Sequence, residues 1–333
     1  MTSHRRQAIE RGTGGAPLRA TGMERIAVVG GGMMGVGVAQ VFAAAGHEVA
    51  LQDVYEEALE RAPGVLTANL TFLADHGLFP AGGVEDAVGR VRTTTDLVAA
   101  VDGADVVVEC VFEDLALKQD VFERLDAACP PETILCTNTS VMSITEIGAK
   151  ATHKQRVVGT HFWNPPYLIP LVEVVRTEQV DPAVVDRTMD LLRRVGKRPI
   201  DCKKDVPGFV ANRLQHALWR EAISIVEHGI ADAETVDESI RFGPGLRLPI
   251  LAPMENADMV GLDLTLAIHD YILPHLEASG EPSPLLREKV AAGDLGFKSG
   301  RGFAEWTPES AEASRKRLVA YLVHVLGDPE RGF

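Results

Sequence analysis

Residues 25–53 read RIAVVGGGMMGVGVAQVFAAAGHEVALQD, and the period of their apolar positions changes twice. A β-branched run from Ile26 to Val29 meets a cluster of glycines. An apolar run of helical length follows to Ala45, Gly46 stops it, and a second short run from Glu48 to Leu51 leads to Asp53. The pattern predicts a strand, a tight turn, a helix and a second strand. Farther on, ADVVVECVF, ETILCTNTS, RVVGTHF and LVEVVRT each hold a short apolar core, with helical or turn segments between them. Several are apolar at consecutive rather than alternate positions, which suits a parallel sheet covered on both faces. The expected assembly is a doubly wound α/β domain.

After KKDVPGFVANRL the strand signal nearly stops. NRLQHALWREAISIVEHG, DAETVDESIRFG and MVGLDLTLAIHDYILPHLE are amphipathic at helical spacing, with Pro and Gly clusters between them. Residues 55–79 also look helical apart from Pro63 and Gly64. The organisation read from these patterns is a flexible N-terminal extension at 1–22, an α/β domain at 23–205 and an all-helical domain at 206–333.

Composition narrows the class. The chain has 333 residues, 46% hydrophobic and 24% charged, enough for two domains and a sizeable core. No stretch of about 18 apolar residues could span a bilayer, so no membrane partner is expected. With 33 basic and 47 acidic residues the net charge is −14, which opposes a phosphate backbone and argues against nucleic acid. Cys110, Cys129, Cys136 and Cys202 lack CxxC spacing and read as reduced cytosolic thiols, with no metal site expected. The N-terminus holds arginines but no apolar segment behind them, so no secretory signal is read, and a cytoplasmic location is expected.

Gly30, Gly32 and Gly35 fit G-x-G-x-x-G after a predicted strand and before a predicted helix. The first permits a tight turn, the second lets backbone approach a pyrophosphate, and the third lets helix and strand pack closely, with the helix N-terminus facing the anion. Met33 and Met34 share that turn and are candidate cofactor contacts with it. Asp53, eighteen residues past Gly35 at the end of the second strand, can accept the ribose hydroxyls of an adenosine. Its charge would repel a 2′-phosphate, so NAD is favoured over NADP. The same turn could hold FAD or another adenine nucleotide, or be a structural glycine turn.

Five further polar residues are candidates for the ligand crevice of such a sheet. Asn138 and Ser140, in TNTS, follow a predicted strand and either face the crevice or cap the next helix. His161 also ends a strand. NPPYLIP cannot continue as helix, so the chain is expected to turn and return as LVEVV, bringing Glu173 beside the imidazole. A carboxylate on one ring nitrogen fixes the tautomer and frees the other nitrogen to take a proton from a hydroxyl. Asn212, just after Pro207 and Gly208, either caps a long helix or reaches into the cleft between the domains.

Taken together, GGGMMGVGVAQ, VVVECVFEDLALKQDVFERLD, TNTS, HFWNP with LVEVV, PGFVANR and GFKSGRGF resemble the 3-hydroxyacyl-CoA dehydrogenase family from about residue 24 to 306. The resemblance implies a Rossmann-type domain followed by a helical domain that forms a homodimer. It also implies NAD-linked oxidation of a secondary 3-hydroxyl, in fatty acid metabolism for the acyl-CoA members. His161 then matches the base, Glu173 its paired acid, and Ser140 and Asn212 the substrate hydrogen-bonding residues. Glu113 and Lys118 match positions used around the nicotinamide ribose. Acyl-CoA members carry basic residues for the CoA phosphates on the helical arm after the second strand. Here positions 54–89 offer Arg61 among several acids. NPPYLIPLVE is more similar to the branch containing gulonate and carnitine dehydrogenases and the lambda-crystallins. GPGLRLPILAPMENADMVGLD suggests relatives that act on a pyridine carboxylate.

Three functions follow as expectations. The first is NAD-dependent oxidation of an L-3-hydroxyacyl-CoA to the 3-oxoacyl-CoA. The second, near parity with it, keeps that chemistry on a small free hydroxy acid, with Arg241 and Arg247 as candidate anchors. The third is an NAD-binding crystallin-like or sensor protein without turnover, against which the intact His161 and Glu173 pair argues.

Overall fold

The computed structural model describes residues 22–328. The extension expected at 1–22 lies outside the described residues except for Gly22. Eight strands form one sheet: β1 (Arg25–Val29), β2 (Glu48–Gln52), β3 (Val91–Thr94), β4 (Val106–Glu109), β5 (Ile134–Thr137), β6 (Val157–Phe162), β7 (Leu171–Val175) and β8 (Arg198–Cys202). Their order across the sheet is β3-β2-β1-β4-β5-β6-β7-β8.

The first six strands run parallel, and Ile26 and Val28 of β1 face one apolar core while Ala27 and Val29 face another. Both faces of the central strands are covered, which is why β1, β4, β5 and β6 read as continuous apolar runs rather than alternating ones. At roughly 1.5–3 kcal/mol per buried Val or Ile side chain, the two layers fix the register of every central strand.

Two strands depart from an all-parallel arrangement. β7 runs antiparallel to β6, and β8 runs parallel to β7. The cause is the short Pro-rich connection between β6 and β7, too short for a crossover helix, so the chain must turn back. β3 and β8 are absent from the apolar pattern because one is exposed along VRTT and the other carries Pro199 and Asp201. Both lie at sheet edges, where proline and charge are tolerated.

Helix α1 (Met33–Ala44) follows β1, and helix α2 (Glu56–Asp75) follows β2. The break expected at Pro63 and Gly64 does not occur. Leu59, Ala62, Leu66, Leu70 and Leu73 form a buried stripe, and their burial outweighs the roughly 3 kcal/mol that an internal proline costs. Beyond β8 the chain is helical, with long elements at Ala211–Glu227 and Pro308–Leu326. The run expected over 259–277 is divided at Gly261, whose φ of 101° ends one helix before Leu262–Ile272 begins.

Arg156 locks the entry to β6. It is buried, and its guanidinium donates to the Asp126 carboxylate at 2.8 Å and to the carbonyls of Cys129, Pro130 and Thr133. Removing one partner of a buried ion pair strands the other. Arg156→Met is therefore expected to lower the free energy of unfolding by about 3–5 kcal/mol, measured by urea titration at neutral pH.

Candidate active site

The sheet order reverses between β1 and β4, the place where open α/β sheets bind ligands beyond the strands' carboxyl ends. Gly30 there has a φ of 109°, and a Cβ on it would lie 2.6 Å from the Cys110 carbonyl oxygen. A Cβ on Gly35 would lie 1.7 Å from the Gly30 oxygen, so both positions require glycine. Gly32 differs: it caps α1, and a Cβ there would meet nothing within 4 Å. The space in front of a helix N-terminus is open where a pyrophosphate would sit. Met33 is exposed at the mouth, while Met34 packs against the core.

Asp53 ties the second strand to this turn. Its Oδ2 accepts from Gly31 N at 2.5 Å and its Oδ1 from Tyr55 N at 2.9 Å. Each oxygen keeps a further lone pair for a ribose hydroxyl. Val54, Tyr55 and Phe112 are exposed apolar side chains around the crevice. The residues present therefore fit a dinucleotide.

Deeper in, a polar chain joins β4, β5 and the helix Leu115–Ala128. Glu109 and Lys118 are fully buried. Lys118 Nζ reaches Glu109 Oε1 at 2.8 Å, Glu113 Oε2 at 3.1 Å and the Val111 carbonyl at 3.3 Å. All three ammonium donors are thereby occupied. Burial would depress the Lys118 pKa, yet the flanking glutamates raise it above its ordinary value. Burial dominates at Glu109 and pushes its carboxyl up despite Lys118. Glu113 sits lower than usual: burial opposes ionisation, but hydrogen bonds from Thr139 and Ser140 N and the charge of Lys118 outweigh it. Glu113 Oε1 accepts from Thr139 Oγ1 at 2.7 Å and Ser140 N at 2.6 Å. The Ser140 carbonyl in turn accepts from Asn212 Nδ2 at 2.9 Å. Asn138 Oδ1 takes the Phe162 N–H at 2.8 Å and pins the end of β6.

His161 and Glu173 are direct partners in the antiparallel register. Nδ1 lies 2.8 Å from Glu173 Oε2, with the carboxylate wholly buried and the imidazole nearly so. Glu173 Oε1 accepts from the backbone N–H groups of Val210 and Ala211, each at 2.9 Å. These open the helix Ala211–Glu227, whose dipole favours an anion. The turn that aims them is strained: Gly208 has a φ of 77° and Phe209 one of 50°, unusual for a bulky residue. Phe209 is buried, its ring centroid 5.8 Å from that of His161. Burial would raise the Glu173 pKa, but hydrogen bonds from His161, Ala211 and Val210 hold it below the ordinary 4.5.

The six residues His161, Glu173, Asn138, Ser140, Glu113 and Asn212 are thus joined by contacts among themselves and their immediate neighbours. Glu109, Thr137, Thr139, Trp163 and Phe209 belong to the same site and were not singled out from sequence. Glu109 had a usable signal, as a carboxylate ending a buried strand just as Asn138 follows one. Thr137 donates to Glu109 Oε2 at 2.7 Å, a contact that depends on β4 lying next to β5. Gly37 was also missed: a Cβ there would lie 2.9 Å from Pro166, so the loop between His161 and Glu173 rests directly on α1.

Beside Asn212 opens a cavity of about 1430 Å³, between the helix Ala211–Glu227 and the segment 277–287. Arg213 and His216 line it within about one turn of Asn212. Arg220 donates to the Ser279 carbonyl at 3.3 Å, and Arg287 pairs with Glu281 at 3.0 Å. The anchors suggested from sequence stand elsewhere: Arg241 is exposed and paired with Asp237, and neither it nor Arg247 lines this cavity.

Models of the 3-hydroxyacyl-CoA dehydrogenase NAD-binding and C-terminal domains match residues 25–206 and 208–306. The chain belongs to the 3-hydroxyacyl-CoA dehydrogenase family. It is an NAD-dependent oxidoreductase of the type that acts on CH–OH groups. It is 38% identical over 304 residues to the 5-formyl-3-hydroxy-2-methylpyridine 4-carboxylate 5-dehydrogenase of Mesorhizobium japonicum, covering 91% of this chain and 97% of that one. It is also 38% identical over 290 residues to a probable 3-hydroxybutyryl-CoA dehydrogenase of Bacillus subtilis, covering 87% and 99%. A solved structure of the pyridine-carboxylate 5-dehydrogenase, an NAD+-dependent dismutase, superposes with a TM-score of 0.84 over 91% of this chain and 97% of that one. The (S)-3-hydroxybutyryl-CoA dehydrogenase of Ralstonia eutropha, 31% identical, gives 0.72 over 85% and 99%. Among the described residues no helix is long and apolar enough to cross a membrane.

Replacing Glu173 by Gln removes the charge and keeps the shape. NADH affinity, measured by fluorescence titration, is expected to be unchanged, while turnover falls by roughly 10²–10⁴-fold. Because the folded pKa is depressed, the carboxylate's contribution to stability is full above 4.5 and fades as pH drops through the folded value. The difference in Tm between parent and Glu173→Gln should therefore narrow on acidification below 4.5.

Proposed function

We propose that this family member oxidises a small free carboxylic acid bearing a hydroxyl group, with His161 as general base. The observation that carries this reading is the charge on α2 and the residues after it. CoA brings several phosphates to a protein surface, and residues 54–89 present Glu56, Glu57, Glu60, Asp75, Glu85 and Asp86 against a lone Arg61. The cavity beside Asn212 adds support, since Arg213 and His216 can meet a carboxylate close to the reacting carbon. The higher TM-score with the pyridine-carboxylate dehydrogenase points the same way. A second reading, an L-3-hydroxyacyl-CoA substrate, is favoured by relatives named as 3-hydroxybutyryl-CoA dehydrogenases.

In this proposal Gly30, Gly32, Met33, Met34 and Gly35 form the pyrophosphate seat and Asp53 the ribose anchor. Held there, NAD would supply the acceptor for the hydride of the carbinol carbon. His161 removes the hydroxyl proton through its second ring nitrogen, and Glu173 offsets the charge that the imidazole gains. Ser140 and Asn212 hold the oxygen undergoing change. Lys118, with no donor left, acts through Glu113, which fixes the loop carrying Thr139 and Ser140.

We assign residues 23–205 to the NAD-binding domain and 206–333 to the substrate and dimerisation domain. The homodimer reading is supported by Pro253–Val260 and Leu262–Ile272, which bury no side chain of their own and expose Met254, Met259, Leu264, Leu266 and Tyr271. Apolar faces of that extent call for a partner surface. A cytoplasmic location agrees with the reduced cysteines.

NADH formation on carnitine, gulonate, free 3-hydroxybutyrate, a hydroxymethylpyridine carboxylate and 3-hydroxybutyryl-CoA tests the proposal. At least one free acid is expected to exceed the thioester in kcat/KM by about tenfold or more, about 1.4 kcal/mol of transition-state preference. A thioester preference of that size would transfer the assignment to the acyl-CoA reading. Full turnover by His161→Ala would remove the base from the proposal.

A further inference from the structure

Trp163 stands two residues beyond His161, the spacing that returns a side chain to the same side of an extended chain. Its indole Nε1 is 3.3 Å from Glu173 Oε2, the same oxygen that lies 2.8 Å from His161 Nδ1. The indole and imidazole ring centroids are 5.4 Å apart and tilted by 48°. Trp163 therefore touches the candidate base and shares its counter-ion.

Few other groups face that carboxylate. From the helix Ala211–Glu227 come two backbone N–H groups, both on Oε1. From β8 comes the Cys202 thiol at 3.9 Å, also on Oε1, whose pKa burial pushes up to about 12 and which stays neutral. Among the described residues, Trp163 is the side chain that competes with the imidazole for Oε2.

A buried histidine with a carboxylate to itself forms a very stable imidazolium. The stronger that stabilisation, the larger the share of such a base that already carries a proton at a given pH and can accept no other. A neutral donor on the same oxygen disperses the carboxylate charge and lessens that stabilisation, and an indole N–H does so at every accessible pH because it does not titrate.

We propose that Trp163 is a positioning residue that tunes the His161–Glu173 pair, fixing the carboxylate beside the imidazole and weakening its hold on the imidazolium. This rests on reading that pair as the acid–base device of the reaction. Trp163→Phe deletes the donor and keeps an aromatic ring.

The test is NMR titration of histidine-labelled protein with NAD bound, the His161 resonance being assigned with His161→Ala. In Trp163→Phe the His161 midpoint should rise by roughly half a pH unit or more, and the acidic limb of the kcat/KM profile should follow it upward. Trp219→Phe, at a half-exposed tryptophan outside the pair, should leave the midpoint in place. Should Trp163→Phe fail to fold, the parent chain carrying 5-fluorotryptophan gives the answer: the Trp163 ¹⁹F signal should titrate with the His161 midpoint. An unmoved or lowered His161 midpoint in the variant, or a ¹⁹F signal flat across the His161 titration, would overturn the proposal. Failure of the acid–base reading is distinguishable, because it leaves His161→Ala fully active whatever the NMR titration shows.

Discussion

The site depends on one carboxylate with no access to water. Glu173 is a charge in the interior, and an unpaired charge there costs several kcal/mol. It is held by His161, Trp163 and the N–H groups of Val210 and Ala211. Those partners come from β6, the residue just after it and the first helix beyond the sheet. The antiparallel return of β7 delivers the carboxylate, and the strained Gly208–Phe209 turn delivers the helix terminus. These two irregularities meet at this one charge, and the cost of the positive φ at Phe209 is offset by the two backbone hydrogen bonds and the ring contact it makes possible.

A second buried charge works on the other side of the crevice. Lys118 neutralises Glu109 and steadies Glu113, which grips the Thr139–Ser140 loop. Asn212 closes the circuit by donating to the Ser140 carbonyl from the same helix whose terminus holds Glu173. The helix Ala211–Glu227 therefore touches both networks. A displacement of that helix would disturb the Glu173 carboxylate and the serine loop together, so the cavity along it and the His161–Glu173 pair at its start are mechanically one unit.

Legibility in the sequence followed burial and locality. β1, α1 and β2 could be read because both faces of their strands are covered and the glycines between them follow a spacing confined to six residues. The pairing of His161 with Glu173 was readable because two prolines force a turn between two short apolar strand segments. β3 and β8 were not, since edge strands tolerate the polarity and proline that mimic loops. Pro63 looked like a break because a local rule was applied where a buried leucine stripe overrides it. Trp163 and Phe209 were missed because the contacts that place them at the site reach other elements and are fixed by tertiary packing. Arg241 and Arg247 do not line the cavity beside Asn212, and a charged position on an amphipathic stretch does not say which cleft it will meet.

The central claim is that His161 and Glu173 act as one device rather than as two independent contributors. A double-mutant cycle on single-turnover NADH formation, using His161→Gln, Glu173→Gln and the combination, addresses it directly. If the pair is a unit, the double variant will be no slower than the worse single variant, because removing either partner already disables the other. Losses that multiply, with the double variant slower by the product of the two single effects, would contradict it.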